Sequence, residues 1–570
     1  MKKILIGSAD VNEFRIVWCE KFDTARDAAQ DLAEYLAATS GKKLAVEAAN
    51  GSPEGFRRII VGSDPCALPL EAEGSRLFND GYIVAVRGGE LYLTGLTARA
   101  VYYAVWTFLE TLGWRFYSSK FEMLKASEPA AEASGAEAGS ETVNVPEGYT
   151  DTFSPKILSR DTFWYDTFDP ALASKLKING WNSRNLKKYG GSIKYAGGFV
   201  HTLPDLAGTD HKPDVQPCLT DPEVYKKVLA NVRRILAENP DARIISVSQN
   251  DSYPEGRGCQ CENCRRLDEA EGTPMGSLLT FVNRIAADIK ADYPDVLVDT
   301  LAYRYTRKAP RHLVPADNVI IRLCSIECCF SHPLTYPCER NLEFSGDIEE
   351  WSKICKNMFI WDYTTDFLYY LNPYPNFGVL RENIRFFADH HVTGLFEQGN
   401  GQSVSGEFGE LRAYLIAKLM WDPDMSRGQY YAYMDDFLEG YYGQGWKFIR
   451  EYIDRTTALA EQGHMGIYYP ISRIFCTENA TAEEKQQLAA EFEGLWANAL
   501  SLADDLHRAN VEKSSIQSLA ASISLSWDPA ASPSVSRQIT ALMAKFGISH
   551  FREGAPFTGE VNYDKPFGEW

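Results

Sequence analysis

A (β/α)8 barrel, preceded by a small α/β unit and followed by an α-helical domain, is the fold class this sequence predicts. Three observations carry that reading. Short apolar runs alternate with helical periodicity over about 260 residues, close to the roughly 250 of a typical barrel. Several of the runs stop at amides, carboxylates and aromatics, as barrel strands do at a catalytic rim. ARIISVSQNDSYP stops at Gln249-Asn250-Asp251, IIRLCSIE at Glu327, MFIWDY at Asp362-Tyr363 and GLFEQGN at Glu397. Beyond Trp421-Asp422-Pro423 the strand signal ends and only helical periodicity remains.

Residues 1–125 read as a compact α/β accessory unit; through AVYYAVWTFLETLGWRFY it is similar to the small α/β domain that precedes the barrel in hexosaminidases and α-glucuronidases. FRIVWC is a strand, and Asp23 or Thr24 caps a helix whose Ala25, Ala28, Leu32, Tyr35 and Leu36 share one face. RRIIVG, YIVAVRGG and ELYLTG follow as strands, the last two joined by a hairpin at Gly88-Gly89. The helix from Thr97 turns Val101, Val105, Phe108 and Leu112 inward and stops at Gly113. Residues 126–145 contain ASEPAAEASGAEAGSET, an acidic, small-residue linker unable to bury enough surface to fold.

Across 150–422 the strand candidates are ILSRDTFWY, the INGWNSR region, IKYAGGFVHTL, RIISVSQND, VLVDTLAYRY, NVIIRLCSIE, NMFIWDY and VTGLFEQG. PEVYKKVLANVRRILAE and MGSLLTFVNRIAADIKADY are typical of the intervening helices. Residues 423–570 form the helical domain, with an irregular end.

A net charge of −19 opposes binding to nucleic acid or anionic membranes, which demand a basic face. The 12 Trp, 30 Tyr and 29 Phe mostly pack cores, yet aromatic faces also suit pyranose rings. The expected partner is an oligosaccharide or glycan, with no cofactor, and nothing in the sequence sets the oligomeric state. MKKILIGSADVNEF holds no secretory apolar region of roughly 7–15 residues. No stretch reaches the roughly 20 apolar residues of a membrane span. The chain is therefore read as cytoplasmic, or as a mature secreted or periplasmic form whose leader was removed.

Glycoside hydrolysis needs an acid for the leaving oxygen. It also needs a nucleophile, a base, or a group that helps the substrate supply its own nucleophile. Asp251 and Glu327 are the leading pair, and Glu397 is the alternative acid. Each has a plainer reading as a rim residue or helix cap. Glu327 sits among Cys324, Cys328 and Cys329, neighbours expected to raise its pKa, unless it is a structural acid paired with Arg322 or Arg304. Asn250 with Asp251 could orient a 2-acetamido group or merely close an Asx-turn. His201, Tyr303, His332, Trp361, Asp362 and Tyr363 are candidate sugar contacts. Glu407 and Glu410 read as helix caps or solvated side chains.

Cys259, Cys261 and Cys264 resemble part of a zinc knuckle with Cys218 as the fourth ligand; the alternative is reduced thiols packing a loop. The primary expectation is no metal, and any metal would brace the rim. P-loop, HExxH, GxSxG and dinucleotide fingerprints are absent, which counts against phosphoryl transfer, zinc proteolysis and α/β-hydrolase chemistry.

VSQNDSYPEGRGCQCENC, IRLCSIECCFSHPL, IWDYTTDFLYYLNPYPN and GLFEQGNGQSVSGEFGELRAYLIAKLMWDPD together resemble glycoside hydrolase family 163, built around domain of unknown function 4838. The similarity covers roughly residues 10–450. It implies an endo-β-N-acetylglucosaminidase releasing complex N-glycans, retaining and assisted by the substrate's acetamido group. By position it puts Asn250 and Asp251 near that group and makes Glu327 a candidate acid. Two rival readings are an exo-acting, inverting α-glucuronidase-like hydrolase, with Arg160, Arg184 or Arg304 for the uronate, and a non-catalytic carbohydrate-binding protein.

Overall fold

The computed structural model describes residues 1–19, 21–49, 55–62, 70–125, 141–184 and 186–557. At its centre seven parallel strands curl into one barrel-like sheet: β1 Ser159–Thr162, β2 Tyr195–Ala196, β3 Ile244–Ser246, β4 Leu297–Ala302, β5 Val319–Cys324, β6 Asn357–Tyr363 and β7 Val392–Gln398. Their spatial order is β1-β7-β6-β5-β4-β3-β2. The predicted second strand is missing, because Trp181–Ser183 is a turn of 3-10 helix.

Side-chain bonds explain that departure. The Asn182 amide and side chain both donate to the Asp161 carboxylate, at 3.1 and 2.9 Å, competing with a strand ladder. A Cβ on Gly180 would lie 2.1 Å from that of Asp161, so the chain passes there without a side chain. Residues 179–180 still span the gap. The Asn179 and Gly180 N–H groups donate to the Arg160 carbonyl at 3.1 and 2.9 Å, and the Asn179 carbonyl accepts from Ile193 at 2.8 Å.

Period-2 alternation sorts the strand residues into layers. Tyr195, Ile244, Ile320 and Phe359 fill the lower interior with Leu297. Gly394 makes room for the Phe359 ring, which lies 2.5 Å from where a Cβ would stand. Above comes a polar layer, in which Arg322 donates to Asp299 at 2.6 Å and Tyr195 donates to the same carboxylate at 2.8 Å. Over it, Leu301, Tyr303, Cys324 and Trp361 open toward the rim.

The N-terminal unit is a six-stranded sheet backed by helices Asp23–Ser40 and Ala98–Thr111. Thr97 caps the second helix as expected, whereas the first has Phe22 at its N-cap and no side-chain cap bond. Gly88 and Gly89 turn the hairpin with φ of 61° and 77°. Residues 126–140 of the low-complexity stretch lie outside the described residues. Thr142–Val145, counted above within the linker, pairs with Lys3–Ile6, and Thr150–Phe153 joins the six-stranded sheet. Buried Asp80 ties this unit to the barrel, accepting from Arg99 and Arg160 at 3.0 and 2.9 Å.

Helices Arg427–Tyr442, Trp446–Ala460, Ala482–Ser501, Arg508–Leu525 and Ser532–Phe546 complete the chain's helical part. The first four share one continuous apolar core with the outer face of the barrel, through residues such as Phe408, Tyr414, Phe437 and Trp496. Glu407 and Glu410 are buried, contrary to expectation: Glu407 pairs with Arg412 and Glu410 with Lys513. Of the predicted irregular end, His550–Arg552 and Ala555–Pro556 pair as a hairpin, and residues 558–570 lie outside the described residues.

Candidate active site at the open end of the barrel

A cavity of about 220 Å3 opens where β3 to β7 end. Its wall includes His201, Asp251, Tyr303, Trp361, Tyr363 and Gln398 from the barrel, with Phe367, Tyr468 and Glu553 from flanking loops. Four predicted contacts (His201, Tyr303, Trp361 and Tyr363) and one predicted catalytic acid, Asp251, therefore meet here.

Asp251 is held from two sides. Its Oδ1 accepts from the Tyr303 hydroxyl at 3.2 Å and from the Ser252 amide at 2.8 Å. The Trp361 indole donates to Gln398 Oε1 at 2.8 Å, and its ring stacks on Tyr363 with centroids 6.0 Å apart. His201 ring nitrogen Nδ1 bonds the Gln249 carbonyl at 2.9 Å. His201 and Arg304 both adopt positive φ, 54° and 56°, at the ends of their segments. Side chains rarely tolerate that region, and such residues cluster where a site dictates geometry.

Glu553 sits on the hairpin between His550 and Pro556. Its amide donates to the Phe367 carbonyl at 3.2 Å, and the next amide, Gly554, donates to Gln402 Oε1 at 2.9 Å. Burial, then the charge of Asp251, pushes the Glu553 carboxyl up. Sequence reading missed Glu553 and Tyr468 because both lie far outside the barrel repeat. The turn signal Glu553-Gly554 was readable, but not where the turn docks.

The other predicted site residues lie elsewhere. Asn250 is buried and spends its amide on the Lys212 and Val215 carbonyls, at 2.9 and 3.2 Å, while its Oδ1 takes the Asp251 amide at 2.9 Å. It positions the loop and is not a cavity-lining group. Glu327 is not isolated among apolar neighbours: Arg307 and Arg304 pair with it at 3.2 and 3.6 Å, beside the cavity wall. Arg322, weighed as its partner, binds Asp299 instead.

Asp362 and Glu397 are register partners on β6 and β7, alternating with the inward Trp361, Tyr363, Phe396 and Gln398. Both are buried and absent from the cavity wall. Neither Glu397 carboxyl oxygen has a hydrogen-bond partner. Burial and then Asp362 push Glu397 well above the usual carboxylate range, and burial lifts Asp362 to about 6. Of the arginines, Arg160 serves Asp80, Arg184 lies over the Phe168 ring at 4.8 Å, and Arg304 lies beside the cavity with a buried, unpartnered Nε. His332 does not line the cavity and lies within a group formed with Cys329, Cys338 and His464. Cys218 does join Cys259, Cys261 and Cys264.

The family model described as "Domain of unknown function (DUF4838)" matches residues 138–454. No curated protein matches the chain. Among solved structures, the fold is similar to a family GH115 4-O-methyl-α-glucuronidase with specificity for decorated arabinogalactans. That likeness has a TM-score of 0.57 at 12% identity, covering 94% of this chain and 76% of that one. A GH138 enzyme targeting pectin rhamnogalacturonan II aligns with TM-score 0.46 at 10% identity, over 94% of this chain and 88% of its own. Among the described residues no helix is long and apolar enough to cross a membrane.

Proposed function

The chain belongs to the DUF4838 family, and from that premise we propose that it is a glycoside hydrolase acting on glycans containing β-linked N-acetylglucosamine. The observation that carries this is the Asp251–Tyr303 pair in an aromatic-walled cavity at the strand ends. An acetamido group needs an acceptor for its N–H and a donor for its carbonyl, and a carboxylate beside a phenol offers both. Trp361, Tyr363 and Phe367 offer faces for the apolar side of the sugar.

In this reading the acetamido oxygen attacks the anomeric carbon. Asp251 stabilises the positive charge that develops on the cyclised amide, and water then opens it with retention. Glu553, which lines the same cavity, protonates the departing oxygen, and its carboxyl is shifted in the direction a general acid requires. Glu327 holds Arg304 and Arg307 at the rim.

The test is cleavage of an N-glycan chitobiose core by wild type, Asp251→Asn and Glu553→Gln. Losses of about 10²–10⁴-fold are expected for each. Undiminished turnover by Asp251→Asn would remove the assignment. The buried, unpartnered Arg304 Nε favours a second reading, an exo-acting hydrolase that clamps a uronate carboxylate. Release of glucuronate from decorated arabinogalactan, with the chitobiose core untouched, would select it.

A further inference from the structure

Two clusters of metal-ligand type flank the cavity without lining it. In the first, Cys329, His332, Cys338 and His464 bring one ligand atom each to within 4.8 Å of all the others. Cys329 Sγ is 3.4 Å from His332 Nδ1, and Cys338 Sγ is 3.4 Å from His464 Nδ1. A tetrahedral zinc with bonds of about 2.3 Å to sulfur and about 2.0 Å to nitrogen separates such atoms by roughly 3.6 Å.

The surroundings fit that ion. His332 Nε2 lies 3.1 Å from the Glu461 carbonyl, which leaves Nδ1 as the ligand when Nε2 carries the proton. Metal-bound imidazoles almost always donate their other nitrogen in this way. Tyr336 stacks on the His332 ring at 4.8 Å and fixes its plane. The ligands Cys329, His332 and Cys338 come from the loop after β5, whereas His464 comes from the helical part.

We propose that Cys329, His332, Cys338 and His464 bind a structural zinc ion that staples the loop after β5 to the segment 461–468. That segment already meets the barrel loops through Phe330 N–H to the Met465 carbonyl and Phe367 N–H to the Ile467 carbonyl, both 2.8 Å. Its last residue is Tyr468, part of the cavity wall. The ion thus fixes a wall that the barrel itself does not supply. No open coordination position remains among four protein ligands, so the site is structural.

A separate observation carries a second zinc. Cys218 Sγ stands 3.7 Å from that of Cys261 and 4.0 Å from that of Cys264, and Cys259 completes the group within 4.8 Å. Four thiolates around zinc lie about 3.8 Å apart. This site would lock the loop that follows Asp251.

The experiment loads the full chain with Zn2+, removes excess by dialysis and counts metal by inductively coupled plasma mass spectrometry. Wild type should retain two ions, Cys338→Ser/His464→Ala one, and Cys261→Ser one. Cobalt loading should give sulfur-to-metal charge-transfer bands that weaken, but persist, in each variant. Amide exchange over 461–468 should slow at least tenfold with zinc in wild type and stay unchanged in Cys338→Ser/His464→Ala. A wild type holding no zinc overturns both sites. A variant whose zinc content equals that of wild type overturns the site it alters.

Discussion

Asp251 lies beyond the end of β3 and Asp362 within the last residues of β6, yet one lines the cavity and the other is sealed behind the sheet. The same split separates Glu553 from Glu397. Inside the cavity, Asp251 faces a phenol and lies close enough to Glu553 to raise it. Behind the sheet, Glu397 has only Asp362 as an ionisable neighbour among the causes of its shift, and both of its oxygens lack partners. A carboxylate without cations or donors takes up a proton in place of charge. The lesson is one of parity. In a strand of period 2, a displacement of one residue takes a side chain from a cavity-facing position such as Trp361 to a buried one such as Asp362.

The sharpest break of this comparison is kinetic. Asp251→Asn and Glu553→Gln should each lower kcat/KM on the chitobiose core by about 10²–10⁴-fold, while Asp362→Asn and Glu397→Gln change it less than about twofold, the latter pair acting on stability alone. A large kinetic loss in the second pair would merge the two regions. Next comes pH. In the proposed role Glu553 must be protonated, and its folded pKa is raised, so the rate should fall as pH climbs through that value; Glu553→Gln should abolish this alkaline limb, as read from kcat/KM profiles.

Asn250→Ala should cost about 1–3 kcal/mol of stability in denaturant titration, by orphaning the Lys212 and Val215 carbonyls. Glu397→Gln should have the smallest effect. Because the folded pKa of Glu397 is raised, the stability it contributes is fully present below the ordinary glutamate value of 4.5 and is lost as pH rises through the folded value. The variant should therefore gain in Tm over wild type at pH 8 and not at pH 4, by calorimetry.

Much of this was legible in the chain. Strand–helix alternation marked all seven strands of the sheet and one more that is not formed, and the polar strand ends pointed to Asp251, Tyr303, Trp361 and Tyr363. Parity was harder to read: Trp361-Asp362-Tyr363 and Phe396-Glu397-Gln398 offer apolar or polar residues on both faces, so alternation alone does not say which faces inward. The second strand failed because Asn179, Gly180 and Asn182 bind Asp161 and its neighbours locally. His332 looked like a sugar contact because its partner His464 is separated from it by two barrel strands and five α-helices. Glu553 carried no catalytic signature, since a docked hairpin turn has the composition of any surface turn.

That hairpin has a consequence for biogenesis. A ribosome making this protein releases Asp251, Tyr303 and Trp361 long before Glu553, so the scaffold can consolidate while one wall of its chamber is still unsynthesised. Competence would then arrive as a late docking event, in which the strand carrying Phe551 hydrogen-bonds to Tyr370, and not as a by-product of barrel closure.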